Sequence, residues 1–211
     1  MNNGFTYEFN NINTKLETYE WDNIWWEHAN SDTIERVLVI GDSISCGYRG
    51  EMNKILEGAV YVDGLGTSKA IDNPCFIKAI DYVLSQQKKG QVILFNNGLH
   101  GWHLSEEMYE YHYRKVIDHM KNIYPDKKLI IVLTTPVREK NNIQNYDSVR
   151  NKIVIARNAI ASKIAEEQKL QVIDLYGLVK DRPEVYGADG IHFVEEGFVL
   201  LAEKCVEEFW A

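Results

Sequence analysis

The chain has 211 residues, with 31 Asp and Glu against 23 Lys and Arg and a formal net charge of −8. That length suits a single domain that buries about 70% of the surface its unfolded chain exposes, and an acidic balance with no basic block argues against nucleic acid or an anionic membrane as a partner. No apolar run approaches the roughly 20 residues of a spanning helix, and the three cysteines, Cys46, Cys75 and Cys205, lack both the pairing of a disulfide framework and metal-ligand spacing.

Residues 1–35 carry Phe5, Tyr7, Phe9, Tyr19, Trp21, Trp25 and Trp26 among many Asn and acidic residues. Phe5, Tyr7 and Phe9 alternate as on one face of a strand. The segment reads as an extension packed on a face or edge of the following domain, or as an aromatic platform for a sugar. It lacks the cationic start and apolar core of a signal peptide, so the sequence as given reads as cytoplasmic, or as secreted if a leader has been removed. Residues 36–211 form the expected core domain.

That domain opens on RVLVIGDSIS at residues 36–45. Four branched apolar residues at 37–40, apolar on both faces, predict a central parallel strand covered by helices on each side. Ligands in such sheets bind off the carboxyl ends of the strands, which makes Ser43 the first candidate nucleophile. A short helix is expected over residues 49–57, ended at Gly58. A second strand follows over 59–62, breaking into the loop Asp63-Gly64-Leu65-Gly66-Thr67-Ser68. Residues 74–87 have helical spacing, and 92–95 form a third strand that ends in Asn96-Asn97-Gly98-Leu99-His100-Gly101-Trp102-His103. Ser105 caps a helix running to about Tyr124. A fourth strand at 129–133 leads into a polar loop through Asn145, and Val149, Ile153, Ala156, Ile160 and Ile164 trace one face of a long helix. A fifth strand at 171–174 and a last helix through Phe198, Leu201, Ala202, Cys205 and Phe209 complete the chain. Strands alternating with helices imply a parallel sheet of about five strands between two helical layers, a three-layer α/β/α arrangement.

Asp189-Gly190-Ile191-His192 lies just before the last helix. Asp and His three apart in a turn bring a carboxylate to one imidazole nitrogen while the other faces a serine. That is triad geometry, with His192 as general base and Asp189 fixing its tautomer. Alone, neither this pair nor a serine after Gly-Asp is specific. Together, Gly41-Asp42-Ser43-Ile44-Ser45 near the start of the domain and Asp189-x-x-His192 at its end resemble the SGNH, or GDSL, hydrolase family over residues 36–211.

The resemblance implies a flavodoxin-like α/β/α fold and ester hydrolysis through an acyl-enzyme on Ser43, with no metal or organic cofactor. It also implies an oxyanion hole built from the Ser43 N–H, a glycine after the second strand and an asparagine after the third. Gly66 and Gly64 compete for the glycine role, and Gly66 is preferred. Asn97 aligns with the family's asparagine, with Asn96 as the alternative, although Phe95 and Gly98 replace the flanking Gly and Asp of the family motif. The first motif is not the Gly-x-Ser-x-Gly elbow of the α/β-hydrolases, and no Walker loop or Gly-x-Gly-x-x-Gly fingerprint supports a nucleotide-binding protein.

Around this constellation, Cys46 reads as a buried or loop thiol rather than a nucleophile. His100 is expected either to line the site or to be structural, Trp102 to wall it, and Arg138 to bind a polar group of the substrate or to sit solvated on the surface. Family members include carbohydrate acetylesterases, lipases, lysophospholipases and thioesterases. Rim aromatics, polar loops and the lack of an apolar lid favour removal of a small acyl group, acetyl, from a carbohydrate ester. The other class of reading is a non-catalytic carbohydrate-binding protein. The sequence leaves the oligomeric state open.

Overall fold

The computed structural model describes residues 15–87 and 89–209, so Phe5, Tyr7 and Phe9 lie outside the described residues. The run at residues 37–40 lies in a strand that is buried throughout (Arg36–Gly41), and the elements around it follow from that burial. In chain order they are β1 (Asp22–Trp25), β2 (Arg36–Gly41), α1 (Ser43–Leu56), β3 (Tyr61–Thr67), α2 (Pro74–Gln86), β4 (Gly90–Phe95), α3 (Glu106–Ile123), β5 (Lys128–Val132), β6 (Arg138–Glu139), β7 (Asn142–Tyr146), α4 (Arg150–Gln168), β8 (Gln171–Ile173), α5 (Leu175–Val179) and α6 (Glu195–Phe209).

Among the described residues, six strands form one sheet in the order β1-β3-β2-β4-β5-β8, with β6 and β7 as a separate antiparallel pair. β1 is antiparallel to β3 and the remaining pairs are parallel. β2 lies between β3 and β4, which is why both of its faces must be apolar. Val37 and Val39 join a core cluster with Ile44, Tyr48 and Met52 of α1 and Leu201, Ala202 and Cys205 of α6. Leu38 and Ile40 join a second cluster with Phe76 and Ile80 of α2, Tyr109 and Tyr113 of α3 and Ile164 of α4. The two clusters lie on opposite faces of the sheet, giving the expected three layers. Because the chain leaves β2 for β3 on one side and later reaches β4 on the other, the strand order reverses at β2, and the crevice of such a sheet opens off its carboxyl end.

Three local expectations are corrected. β3 does not stop at residue 62 but runs on to Thr67, because β1 pairs with that stretch from Trp25↔Gly64 to Asp22↔Thr67 and supplies the sheet with a sixth strand. The first helix begins at Ser43 rather than at residue 49, since the Asp42 side chain accepts the Ile44 N–H at 2.9 Å and caps it. The polar loop after β5 contains the β6–β7 hairpin.

The buried face of α4 also differs from the expected stripe. Val149 is 65% exposed, whereas Asn151, Val154, Arg157 and Asn158 are buried. The polar members of this face satisfy loop backbone at the carboxyl edge of the sheet. Asn158 accepts the Thr134 N–H and donates to the Thr134 carbonyl, both at 2.8 Å, and Asn151 accepts the Val137 N–H at 3.1 Å. Irregular loops carry unpaired peptide groups, and burying them requires partners of this kind. Among the described residues no helix is long and apolar enough to cross a membrane.

Candidate active site

Ser43 is the first residue of α1, directly after the capping Asp42. Its N–H is one of the donors that a helix N-terminus leaves without an intrahelical partner, at the positive end of the helix dipole. Asp42 itself is 4% exposed. Burial pushes its carboxyl above the usual 3.8, opposed by nearby His100, by the Ile44 and Ser45 amides and by His192. Its carbonyl accepts the Ser45 hydroxyl at 2.6 Å and the Cys46 N–H at 3.1 Å, so both ends of Asp42 serve the turn.

The sequence Asp189-Gly190-Ile191-His192 forms a tight turn before α6. Asp189 Oδ1 accepts the Ile191 and His192 amides, each at 2.9 Å, leaving Oδ2 at 2.6 Å from His192 Nδ1. Partial burial tends to raise the Asp189 carboxyl, but the His192 ring bond and these two amides outweigh it and hold the group below its ordinary range. Gly190 adopts φ 75°, and a Cβ there would meet the Arg138 carbonyl at 2.3 Å. Only glycine fits a left-handed position pressed this closely against β6. Arg138 N–H donates to the Gly190 carbonyl at 2.8 Å and Asn141 N–H to that of Ala188 at 2.7 Å, so the hairpin braces the turn.

The other imidazole nitrogen, His192 Nε2, is 2.8 Å from Ser43 Oγ. Asp189, His192 and Ser43 thus form one continuous hydrogen-bonded chain across the carboxyl end of β2. With Nδ1–H donated to an ionised carboxylate, Nε2 is left as the acceptor facing the hydroxyl. Such a chain can take a proton from the serine as the oxygen attacks an acyl carbon.

The residues expected around this chain divide. The Asn96 side-chain amide donates to the Val132 carbonyl at 2.7 Å and to Thr134 Oγ1 at 2.9 Å, which commits both of its hydrogens to the end of β5. Asn97 donates once, to the Lys69 carbonyl at 2.9 Å, and keeps a second N–H. Gly66 does not stand in a loop. It lies inside β3, opposite Asn23 on one side and Gly41 on the other. Ser68, two residues on, donates its N–H to Trp21 at 3.1 Å, and by strand alternation the Gly66 N–H faces β1 in the same ladder. It is therefore directed away from the crevice, and Gly64 lies deeper in the same strand, opposite Trp25.

Arg138 is neither a substrate contact nor a surface arginine. It is 3% exposed, donates to the Ile143 and Lys180 carbonyls, and lies over the rings of Tyr146 and Tyr186 at 4.7 and 4.9 Å. Trp102 is half-buried with the guanidinium groups of Arg157 and Arg150 over its ring at 5.3 and 5.7 Å. His100 Nδ1 lies 3.6 Å from Glu17, and its ring meets Trp21 edge-on at 6.5 Å. Cys46 is partly buried beside Gly66, and burial raises its thiol above the usual value, as suits a packing group.

Three residues near the crevice escaped sequence reasoning. Glu17 accepts the Gly101 N–H at 2.9 Å, Lys69 is 1% exposed and bridges to Asp22 at 2.7 Å, and Arg157 is 2% exposed beneath the loop after β4. Only Arg157 left a signal. It falls at helical spacing from Ile153, Ile160 and Ile164, in register with apolar neighbours on one face of the helix.

No family model matches the chain. A protein of Oryza sativa subsp. japonica described as GDSL esterase/lipase WDL1 is 26% identical over 122 residues, 54% of this chain and 46% of its own length, so the chain spans less than half of that relative. Among solved structures, Est24, a carbohydrate acetylesterase from Sinorhizobium meliloti, is similar with a TM-score of 0.69 at 14% identity, covering 83% of this chain and 98% of that one. The acetyl xylan esterase AlAXEase is similar with a TM-score of 0.62 at 20% identity, covering 82% and 98%. The chain therefore shares the three-layer α/β/α fold of these two structures.

Proposed function

We propose that the chain is a serine esterase that cleaves carboxylic esters through an acyl-enzyme on Ser43, acting on a short acyl group, acetyl, carried by a carbohydrate. The observation that carries the reading is the unbroken chain from Asp189 to His192 at 2.6 Å and from His192 to Ser43 at 2.8 Å. His192 takes the Ser43 proton as the oxygen adds to the ester carbonyl, and Asp189 stabilises the resulting imidazolium. The Ser43 N–H, at the N-terminus of α1, and the second amide hydrogen of Asn97 are the donors assigned to the oxyanion, replacing the scheme that included Gly66. His192 then protonates the leaving alcohol, and water activated by the same imidazole releases the acid.

The acyl preference is supported by two similar structures described as an acetyl xylan esterase and a carbohydrate acetylesterase. The experiment is hydrolysis of aryl esters of increasing acyl length, together with acetylated sugars, by the protein and by Ser43→Ala. Acetyl release that disappears in Ser43→Ala is the expected result. Full activity in Ser43→Ala would remove the serine from the scheme, rates that climb with acyl length would replace acetyl by a lipase or thioesterase preference, and glycan binding without turnover or labelling of Ser43 by a phosphonate would make the protein a binder.

A further inference from the structure

The loop between β4 and α3 carries Asn97, His100 and Trp102, yet it has no ladder to hold it. Its carbonyls are gathered instead by one buried side chain. Arg157 of α4 donates to the carbonyls of Gly98 at 2.9 Å, His100 at 2.7 Å and Gly101 at 2.6 Å, and its guanidinium lies over the rings of Tyr109 at 4.6 Å and Trp102 at 5.3 Å. Tyr109 adds a fourth bond, from its hydroxyl to the Asn97 carbonyl at 2.5 Å. From the opposite side Glu17 accepts the Gly101 N–H.

Four carbonyls of five successive residues are thus fixed by two side chains, with the guanidinium acting as a planar fork that a lysine ammonium cannot reproduce. This arrangement occupies the place where the sequence departs from the Gly-x-Asn-Asp pattern of the family it resembles. The backbone that sets the position of Asn97 is therefore held from below by α4 and α3.

We propose that Arg157, assisted by Tyr109, is a positioning residue for ester hydrolysis, acting through the loop at residues 97–101 rather than by touching substrate. The inference rests on the esterase reading above. A misplacement of about 1 Å in such a loop is enough to cost on the order of 100-fold in rate.

The test compares Arg157→Lys, Arg157→Met and Tyr109→Phe for steady-state kinetics on an aryl acetate, thermal stability, and hydrogen exchange of the peptide spanning residues 97–103. The expected result is a kcat lowered by roughly 10- to 100-fold in Arg157→Met with KM within about twofold, partial recovery in Arg157→Lys, and a smaller kcat loss in Tyr109→Phe. Exchange should rise in the 97–103 peptide and not across the sheet. Tyr109→Phe removes one hydroxyl and keeps the ring, so it reports on the loop even if Arg157→Met fails to fold. Unchanged kcat in the folded variants would overturn the proposal, as would losses that vanish when each variant is assayed well below its melting temperature. No turnover of any ester by the unsubstituted protein would instead overturn the esterase reading, and with it the catalytic role, while the exchange measurement still tests the clamp.

Discussion

Gly66 and Cys46 are packed so closely that a Cβ on Gly66 would lie 2.1 Å from the cysteine sulfur, with the Asp42 carbonyl and Trp21 at 3.5 Å behind it. The approach of α1 to β3 therefore leaves no room for a side chain at position 66 unless Cys46 moves. Gly66→Ala should displace the first turn of α1, which carries Ser43. A loss of about 1–3 kcal/mol in urea-measured stability is expected, in the range of overpacked cores. Adding Cys46→Ala should recover most of it. A double variant no more stable than Gly66→Ala would show that the sulfur is not the obstacle.

The two adjacent asparagines should separate into a catalytic and a structural effect. Asn97→Ala removes the amide hydrogen assigned to the oxyanion and is expected to lower kcat by roughly 100- to 1000-fold. Asn96→Ala instead strips two bonds from the end of β5. It leaves the Val132 carbonyl without this donor, at a cost of about 1–3 kcal/mol of stability, and its kcat should remain near the parent value in the folded fraction. Steady-state kinetics and denaturation on the pair decide the assignment. The reverse pattern would move the donor to Asn96.

The sequence made some of this legible for physical reasons that also explain the rest. Residues 37–40 announced a central strand because both faces of β2 are apolar, and the spacing of Asp189 and His192 announced a turn that joins them. β3 was cut short because Gly64 and Gly66 read as loop residues, and only the pairing of Asp22 to Trp25 with that stretch makes it a strand. Arg138 read as a rim residue because its charge hid the carbonyls of Ile143 and Lys180 that bury it. Arg157 shows only its register with Ile153, Ile160 and Ile164, not the carbonyls it holds. Partners on distant backbone leave no local pattern, since they are chosen by the fold.

Asp42 gives a pH dependence whose sign follows from its burial. The folded carboxyl titrates above the ordinary 3.8. Between those two values the folded state therefore binds more protons than the unfolded chain, and this group's contribution to stability falls as pH rises. The contribution is fully present below the unfolded value and is lost as pH rises through the folded one. Asn caps helices as well as Asp does and can accept the Ile44 N–H in the same way. Asp42→Asn is accordingly expected to be more stable than the parent near neutral pH, with the difference shrinking to nothing at about pH 3 and below. Urea midpoints measured across that range provide the check. A variant less stable at neutral pH would mean that His100, His192 and the helix dipole compensate the buried charge in full.

Asp189→Asn tests how the turn before α6 fixes the imidazole. Asp189 Oδ1 is held by the amides of Ile191 and His192, so in the variant the carbonyl oxygen of Asn should stay there and its NH₂ group should face His192 Nδ1. A donor at that place forces Nδ1 to accept and puts the ring proton on Nε2, which then points a hydrogen at Ser43 Oγ instead of a lone pair. The turn keeps its shape, and the general base is lost. The expected outcome is a kcat lower by roughly 10⁴-fold with little change in KM or melting temperature. A loss of only a few-fold would mean that Asp189 merely caps the turn and that another group orients His192.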